Sequence, residues 1–531
     1  MKTYQIPFKS TGFFSKTMLH YLEQNSKIKS FYNNFPSLDG FKNQIVEKRN
    51  SYNSETRANL FSVLTEQYEK VNISEETQTN LSKLKEPNTF TVTTGHQLNL
   101  FTGPLYFLYK IISAINLCEE LAIQFPEENF VPVYWMATED HDFDEINYFN
   151  FKQEKIRWNS NQQGGVGRFK TEGLEEVFSV LSNHFGTSKN AVYLKNLFKQ
   201  GYFEHSTLAE ATRYIANELF GKYGLVIVEA DNARLKRELI PFIKEELFDQ
   251  TSYKTVLNAS EELAQNYKVQ VNPREINLFY LIDGLRERIV LEDTIYKVNN
   301  TDVSFSREEI EEELEKHPER FSPNVIMRPL YQEVILPNLC YIGGGGELAY
   351  WMQLKEFFNK VSVPYPILLL RNSVQVLTEK QERKLASLNV SIKELFLKQK
   401  DLLKLKVNEN AEETVNFNEQ RKFLEEQFVM LRGVAKKTDM SFIGAVNAQE
   451  KKQLKGLANL EKRLLRAEKR KQQDLVHRIT TLQEEVLPNQ SLEERQRNFS
   501  EYFIEYGDSF LDALKENLKP LDLEFTMLVM K

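Results

Sequence analysis

Residues 88–121, NTFTVTTGHQLNLFTGPLYFLYKIISAINLCEEL, and residues 130–147, FVPVYWMATEDHDFDEIN, decide the fold. The β-branched run at 89–94 reads as a buried strand that Gly95 ends. Gly103 and Pro104 then open a helix, because proline is tolerated in a first turn, where its missing N–H costs nothing. The helix carries Leu105, Leu108, Ile112, Ile115 and Leu121 on one apolar face. Residues 131–137 form a second strand, which stops abruptly at Glu139, Asp140, His141, Asp142, Asp144 and Glu145. Strand, polar loop, helix, strand, polar loop is a βαβ unit with both loops at the carboxyl ends of parallel strands. That edge of an open α/β sheet is where ligands bind, so the two loops are expected to share one crevice.

The rest of the chain fits a globular α/β protein of two or three domains. Its 531 residues are 41% hydrophobic and 27% charged, which excludes a disordered chain. The net charge of -7 argues against general nucleic-acid binding. The amino-terminal MKTYQIPFKSTGFFSK lacks the apolar core of a secretory signal, and no run of about 18 apolar residues suggests a membrane span. Cys118 and Cys340 sit among apolar neighbours outside any CxxC pair, as buried thiols of a cytoplasmic protein would.

Residues 222–232, KYGLVIVEADN, repeat the strand-then-acidic-loop pattern and belong to the same sheet, followed by one long helix to Phe248. The glycines of GGVG at 164–167 lack the Lys-Ser/Thr of a phosphate loop and read as a flexible loop. Residues 276–293 read as a hairpin turning at Asp283 and Gly284, and Ser306 with Glu309 forms a capping box. After a short strand at 339–342, the run Gly343, Gly344, Gly345, Gly346 lets backbone amides approach a ligand, and Glu347 begins a helix carrying Tyr350. Residues 364–373 form a further strand with Arg371 and Asn372 at its carboxyl end, expected on the rim of the crevice. The core thus spans 1–373, with insertions at about 151–220 and 250–322.

From Val374 glycine and proline nearly vanish, and 374–490 reads as a helical coiled-coil arm. Leu385, Leu388, Ile392, Leu395 and Leu402 fall on one heptad seam, with Gln399 its polar member. A second helix over 450–486 carries Leu457, Leu460, Leu464 and Ala467, then a shifted seam of Leu475, Ile479, Leu482 and Val486. A shorter helix at 417–431 lies between. The ten Lys/Arg against three Asp/Glu over 451–479 read as a solvated face. Residues 491–531 return to the core.

The first polar loop offers Thr94, Gly95, His96, Gln97, Asn99, Thr102 and Gly103. With the helix amino end behind it, this suits an anionic group such as phosphate or carboxylate. His96 is expected to face that ligand rather than the core. In the second loop Glu139, Asp140, His141 and Asp142 suit either a divalent cation or a substrate amine, with His141 as general base. Adjacent carboxylates on an extended segment point to opposite sides and lack closed metal-site spacing, so substrate contacts are favoured over a metal. No nucleophile elbow and no Walker lysine is present.

The motifs TTGHQLNLFTGPLYFLYKIISAI, VPVYWMATEDHDFDEIN and RPLYQEVILPNLCYIGGGGELAYW, with the basic heptad arm, resemble the cysteine ligases of bacillithiol biosynthesis, the BshC family, over essentially the whole chain. The chain departs from that pattern at His96, where the family carries glutamine, and at Gly345, where it carries proline. The resemblance implies a Rossmann-like parallel-sheet core with connective-peptide insertions, plus an α-helical coiled-coil arm that joins a homodimer. It implies a cytoplasmic ligase that adds L-cysteine to the amino group of glucosaminyl-malate, with ATP activating the carboxylate, ADP or AMP as the product, and Mg entering with the nucleotide. Catalysis is then expected from Glu139, Asp140, His141 and His96. Thr94, Gly95, Gln97, Asn99, Thr102, Gly103, Asp142, Gly343, Gly344, Gly346, Glu347, Tyr350, Arg371 and Asn372 would bind substrate or nucleotide. Two alternatives stay open: a nucleotidyltransferase of another pathway on the same fold, and a coiled-coil scaffold with a vestigial crevice.

Overall fold

Thr89–His96 (β1), Asn129–Met136 (β2) and Val226–Glu229 (β3) pair in parallel in a computed structural model that describes residues 2–69, 71–411 and 416–531. Leu278–Ile282 (β4) and Leu285–Glu292 (β5) form the expected antiparallel hairpin in a separate sheet. Asn338–Gly343 (β6) pairs in parallel with the other side of β1, and Ile367–Leu370 (β7) with β6. The central order is therefore β7-β6-β1-β2-β3. The chain runs outward from β1 to β3, then returns to lay down β6 and β7 on the opposite flank. The strand order reverses between β1 and β6, and an open α/β sheet binds its ligands at that switch point.

Every residue of β1 is buried, as parallel strands covered on both faces require. Phe90 and Val92 pack one face against Ala114, Leu117 and Leu121 of helix α1 (Tyr106–Gln124) and against Phe41 and Ile45. Thr91 and Thr93 both donate to Asn338 Oδ1, at 3.2 and 2.8 Å, which satisfies their buried hydroxyls. Cys118 and Cys340 lie in the apolar cluster as buried free thiols.

Several boundaries differ from expectation. Gly95 does not end β1: the ladder continues through Gly95–Trp135 and His96–Met136. The helix after β3 is two pieces, Ala233–Arg237 (α2) and Ile240–Asp249 (α3), because Pro241 cannot continue the preceding turn. GGVG is pinned rather than free. Val166 N–H donates to Asp140 O (2.7 Å) and Gly167 N–H to Thr138 O (2.8 Å), and a Cβ on Gly167 would stand 2.5 Å from Thr138 Cβ. Met327–Ile335 (α4) precedes β6, and the helix after it, Gly345–Trp351 (α5), starts two residues earlier than expected.

The chain divides into two compact units: residues 1–9, 13–375 and 493–528, and residues 10–12, 376–492 and 529–531. In the second, Asn418–Thr438 (α6) pairs with Phe442–Lys471 (α7) through Leu424, Phe428, Ala435, Ile443 and Val446. Gln473–Val486 (α8) buries Ile479, Leu482 and Val486 as read. The proposed seam through Leu385, Leu388, Ile392, Leu395 and Leu402 is not one helix. Asn389 takes a left-handed φ of 51° and Ser391 caps a new turn with Glu394, so the leucines are buried by three short helices instead. Leu460, assigned to the second seam, is 54% exposed.

Candidate functional site

The crevice between β1 and β6 is built on a lysine buried in the middle of an apolar helix. Lys110 Nζ donates to Gly95 O (2.8 Å) and pairs with Glu347 of α5 (2.7 Å). Glu347 also accepts from Tyr341 Oη (2.8 Å) and Gly344 N–H (3.1 Å). Burial alone would raise its pKa, but Lys110 and these donors outweigh it and hold the carboxyl below its usual range. Arg328 of α4 reaches the same place, its guanidinium among the rings of Trp135, Tyr341 and Trp351. Burial opposes its charge, yet Tyr350, Tyr341 and Glu347 keep it protonated. Arg371 lies over the Tyr106 ring, 5.1 Å from its centroid. A Cβ on Gly95 would stand 3.2 Å from Tyr341 Oη, and one on Gly344 3.3 Å from Glu347 Oε1, so both glycines let these groups approach the strand ends closely. Among the described residues, Arg328 Nη2 and Arg371 Nε are buried without a hydrogen-bond acceptor.

The loop after β2 uses its charges differently. Glu139 is buried and ion-paired with Lys236 of α2, whose side chain is wholly buried and also donates to Phe321 O at 2.7 Å. Burial raises the Glu139 pKa, and Lys236 opposes the rise. Asp140 accepts from His141 N–H (2.8 Å) and Asp142 N–H (3.4 Å) through Oδ1, and from Gln97 Nε2 (2.9 Å) through Oδ2. Gln97 also donates to Glu145 (3.0 Å), so it ties the β1 loop to the β2 loop. The two loops thus lie at one edge, as expected. His141 and Asp142 are exposed. Arg286 of β5 reaches His141 Nδ1 at 2.6 Å.

The turn before α1 is strained and internally held. Phe101, Thr102 and Gly103 have φ of 46°, 70° and 64° in succession, and a Cβ on Gly103 would lie 2.6 Å from Asn99 Cβ. A β-branched residue at positive φ needs outside support. Asn498 supplies it, donating to Phe101 O (2.8 Å) and Gly103 O (2.6 Å), while Phe101 N–H donates to Tyr202 Oη (2.7 Å). One amide at the amino end of α1 is already engaged: Leu105 N–H donates to Arg497 O at 2.8 Å. Gln97, Asn99 and Thr102 line a cavity of about 10 Å³ with Phe107, Tyr202, Thr212 and Ile215.

Two family models match this chain: the bacillithiol biosynthesis BshC N-terminal Rossmann-like domain over residues 1–372, and the BshC C-terminal coiled-coil domain over residues 374–530. The chain belongs to the BshC family. A relative from Flavobacterium johnsoniae is 54% identical over 99% of this chain and 100% of its own. One from Cytophaga hutchinsonii is 38% identical over 97% and 96%, and one from Bacillus cereus 29% over 94% and 95%. All three are named "Putative cysteine ligase BshC".

The two departures from the BshC pattern have structural accounts. His96 is buried, and among the described residues its Nε2 has no hydrogen-bond partner. Because β1 continues through it, its ring is packed between Tyr106 and Phe107, at 5.4 and 5.0 Å. Burial, then Lys110 and Arg371, push its pKa well below 6.5, so the ring is neutral. Gly345 stands where a Cβ would meet Met18 Cγ at 2.9 Å.

Other predicted positions divide between the crevice and the core. Thr94 Oγ1 donates to Ile342 O (2.8 Å), bracing β1 on β6. Gly343 packs tightly on Tyr341 and Glu347, whereas Gly346 is exposed with open space around it. Arg371 and Asn372 do not form the rim. Arg371 is buried in a bidentate pair with Glu494, at 2.9 and 2.7 Å, and Asn372 is bonded to Ser113 and Lys519 O. The returning carboxyl-terminal segment covers them. Sequence reasoning missed Lys110, Arg328, Tyr341, Lys236 and Arg286. Only Lys110 had a local signal, a lone charge inside the apolar run YFLYKIISAI.

Proposed function

We propose that this chain joins the carboxyl group of L-cysteine to the amino group of glucosaminyl-malate, forming the amide of bacillithiol. BshC membership over both domains supports the pathway. The observation that carries the chemistry is the excess of cations at the β1/β6 switch point. Lys110, Arg328 and Arg371 face two carboxylates, Glu347 and Glu494, and two of their donors lack acceptors. A buried donor without an acceptor costs about 1–3 kcal/mol, a cost that an anionic ligand relieves.

A carboxylate and an ammonium do not condense in water without activation. ATP supplies the leaving group, as an acyl phosphate with ADP released or an acyl adenylate with AMP released. Arg328 and Lys110, with the open backbone at Gly344 and Gly346, suit its phosphates or the substrate carboxylates, and Mg would enter with the nucleotide. Tyr350 holds Arg328 in place, and Asp140 holds the β2 loop against Gln97. The reaction belongs in the cytoplasm, where ATP is available; among the described residues no helix is long and apolar enough to cross a membrane.

Purified protein given ATP, cysteine and glucosaminyl-malate is expected to form bacillithiol, with the released nucleotide identifying the route. Absence of product with every nucleotide, or inert cysteine alongside pyrophosphate release to another acceptor, overturns the reading.

The arm is proposed to join two copies. Phe423, Met430 and Val434 repeat at heptad spacing on α6 and are 65%, 65% and 57% exposed, a stripe that a second helix would cover. Phe423→Glu with Met430→Glu is expected to convert a dimer to a monomer in light scattering. A monomeric wild type would refute it.

A further inference from the structure

Arg286 reaches across from the β4–β5 hairpin to the loop after β2, and all three of its guanidinium nitrogens are engaged. Nε donates to Ser322 Oγ (3.0 Å), Nη2 to Pro323 O (3.2 Å), and Nη1 meets His141 Nδ1 at 2.6 Å. The guanidinium also lies over the Phe279 ring, 4.0 Å from its centroid, and the His141 ring packs on the same phenylalanine at 5.3 Å. A guanidinium has donors and no acceptor. Nδ1 of His141 must therefore be the acceptor, and the proton of the neutral ring must sit on Nε2.

We infer that Arg286 holds His141 as a neutral Nε2–H donor, so that His141 gives a hydrogen bond to an anionic oxygen of the ligand and does not act as a general base. Protonating Nδ1 would set two donors against each other, and Nε2 already carries its proton, so neither nitrogen is free to take one from a substrate amine. The ring is half-exposed, and among the described residues Nε2 has no hydrogen-bond partner, which leaves it available to a ligand. The charged groups facing the ring are Arg286 and Glu287 from the hairpin, and Asp140 and Asp142 from its own loop. Asp140 Oδ1 is 3.9 Å from Nδ1 and turned to the backbone amides of His141 and Asp142. Burial first, then Arg286, lower the His141 pKa, while the acids oppose them. Arg286 is thus a positioning residue acting through His141. The donor role rests on the ligand reading above; the tautomer does not.

The experiment has two arms. In the first, the full-length protein carries ¹⁵N-labelled histidine rings, and long-range ¹H–¹⁵N spectra identify His141 by its absence in His141→Gln. The expected wild-type pattern is Nε2–H, persisting on acidification below pH 6.5. In Arg286→Gln the His141 titration is expected to move up by at least one pH unit, because the acids remain, and Arg286→Lys is expected to restore much of the shift. An Nδ1–H pattern, or wild-type titration at or above 6.5, overturns the assignment whether or not the protein makes bacillithiol. In the second arm, kcat/KM for product formation is compared between His141→Gln, which keeps a donor, and His141→Phe, which does not. His141→Gln is expected to stay within tenfold of wild type and His141→Phe to lose at least a hundredfold. Equal losses in both variants overturn the donor role.

Discussion

The crevice between β1 and β6 and the acidic loop after β2 sit at the same edge of one sheet and are both rich in charge, yet they deploy it in opposite ways. In the loop four of the five carboxylates are engaged within the protein, Glu139 with Lys236, Asp140 with Gln97 and two amides, Asp144 with Arg157, and Glu145 with Gln97, while Asp142 is exposed. In the crevice the cations outnumber the acids, and Arg328 and Arg371 retain buried donors without acceptors. Carboxylates bonded within a fold brace it, whereas buried donors without acceptors are available to a ligand. The loop most conspicuous in sequence thus serves largely as frame, with His141 left exposed, and the crevice it helps to shape is the proposed place for an anion.

The largest test attacks the frame. Lys236→Met leaves Glu139 buried without its cation and is expected to cost about 3–5 kcal/mol in urea unfolding. Adding Glu139→Gln should recover most of that loss, and a small effect of the single variant would mean that the loop does not depend on this pair. The next test attacks the crevice. Arg328→Met keeps the packing against Trp135 and Trp351 but removes the charge. It is expected to lower kcat/KM by roughly 30- to 100-fold, equivalent to about 2–3 kcal/mol of charge-assisted hydrogen bonding, with the unfolding midpoint little changed. If the midpoint falls and the surviving folded protein stays active, the contrast drawn here collapses.

Smaller effects sharpen the contrast at the two departures from the BshC pattern. Gly345→Pro should cost about 1–2 kcal/mol by overpacking against Met18. A double-mutant cycle with Met18→Ala should show that cost disappearing, since the clash is with Met18 Cγ. The smallest expected effect belongs to His96. Its folded pKa lies below the ordinary value of 6.5, so between the two the unfolded chain holds a proton that the fold does not. Stability should therefore fall as the pH drops below 6.5, by at most about 1.4 kcal/mol per pH unit from this residue. His96→Gln should flatten that part of the urea-midpoint profile between pH 7 and 5.5; an unchanged slope would mean that His96 takes up its proton in the fold over the same pH range as in the unfolded chain.

Much of the architecture was legible because it is local. The β-branched run at 89–94, the hairpin at Asp283 and Gly284, and the capping box at Ser306 each carry their own signal, and each stands as read. Heptad spacing was less reliable in the arm. Leu385, Leu388 and Leu395 satisfy the period, but Asn389 and Ser391 break the helix, and burial by short helices yields the same leucine spacing. The site was legible only at its strand ends. Arg328 lies 233 residues after Gly95, and Arg286 lies 145 after His141, so nothing in either neighbourhood announced the partnership.

By itself the sequence determined the βαβ unit, the edge at which its polar loops emerge, and the family, since these follow from periodicity, turn residues and long contiguous motifs. Only the tertiary structure decided which charges are spent and which are available. Burial and pairing depend on what the rest of the chain lays against a residue: Lys236 against Glu139, Glu494 against Arg371, Arg286 against His141. A side chain's chemistry is set by those neighbours, and chain order does not record them.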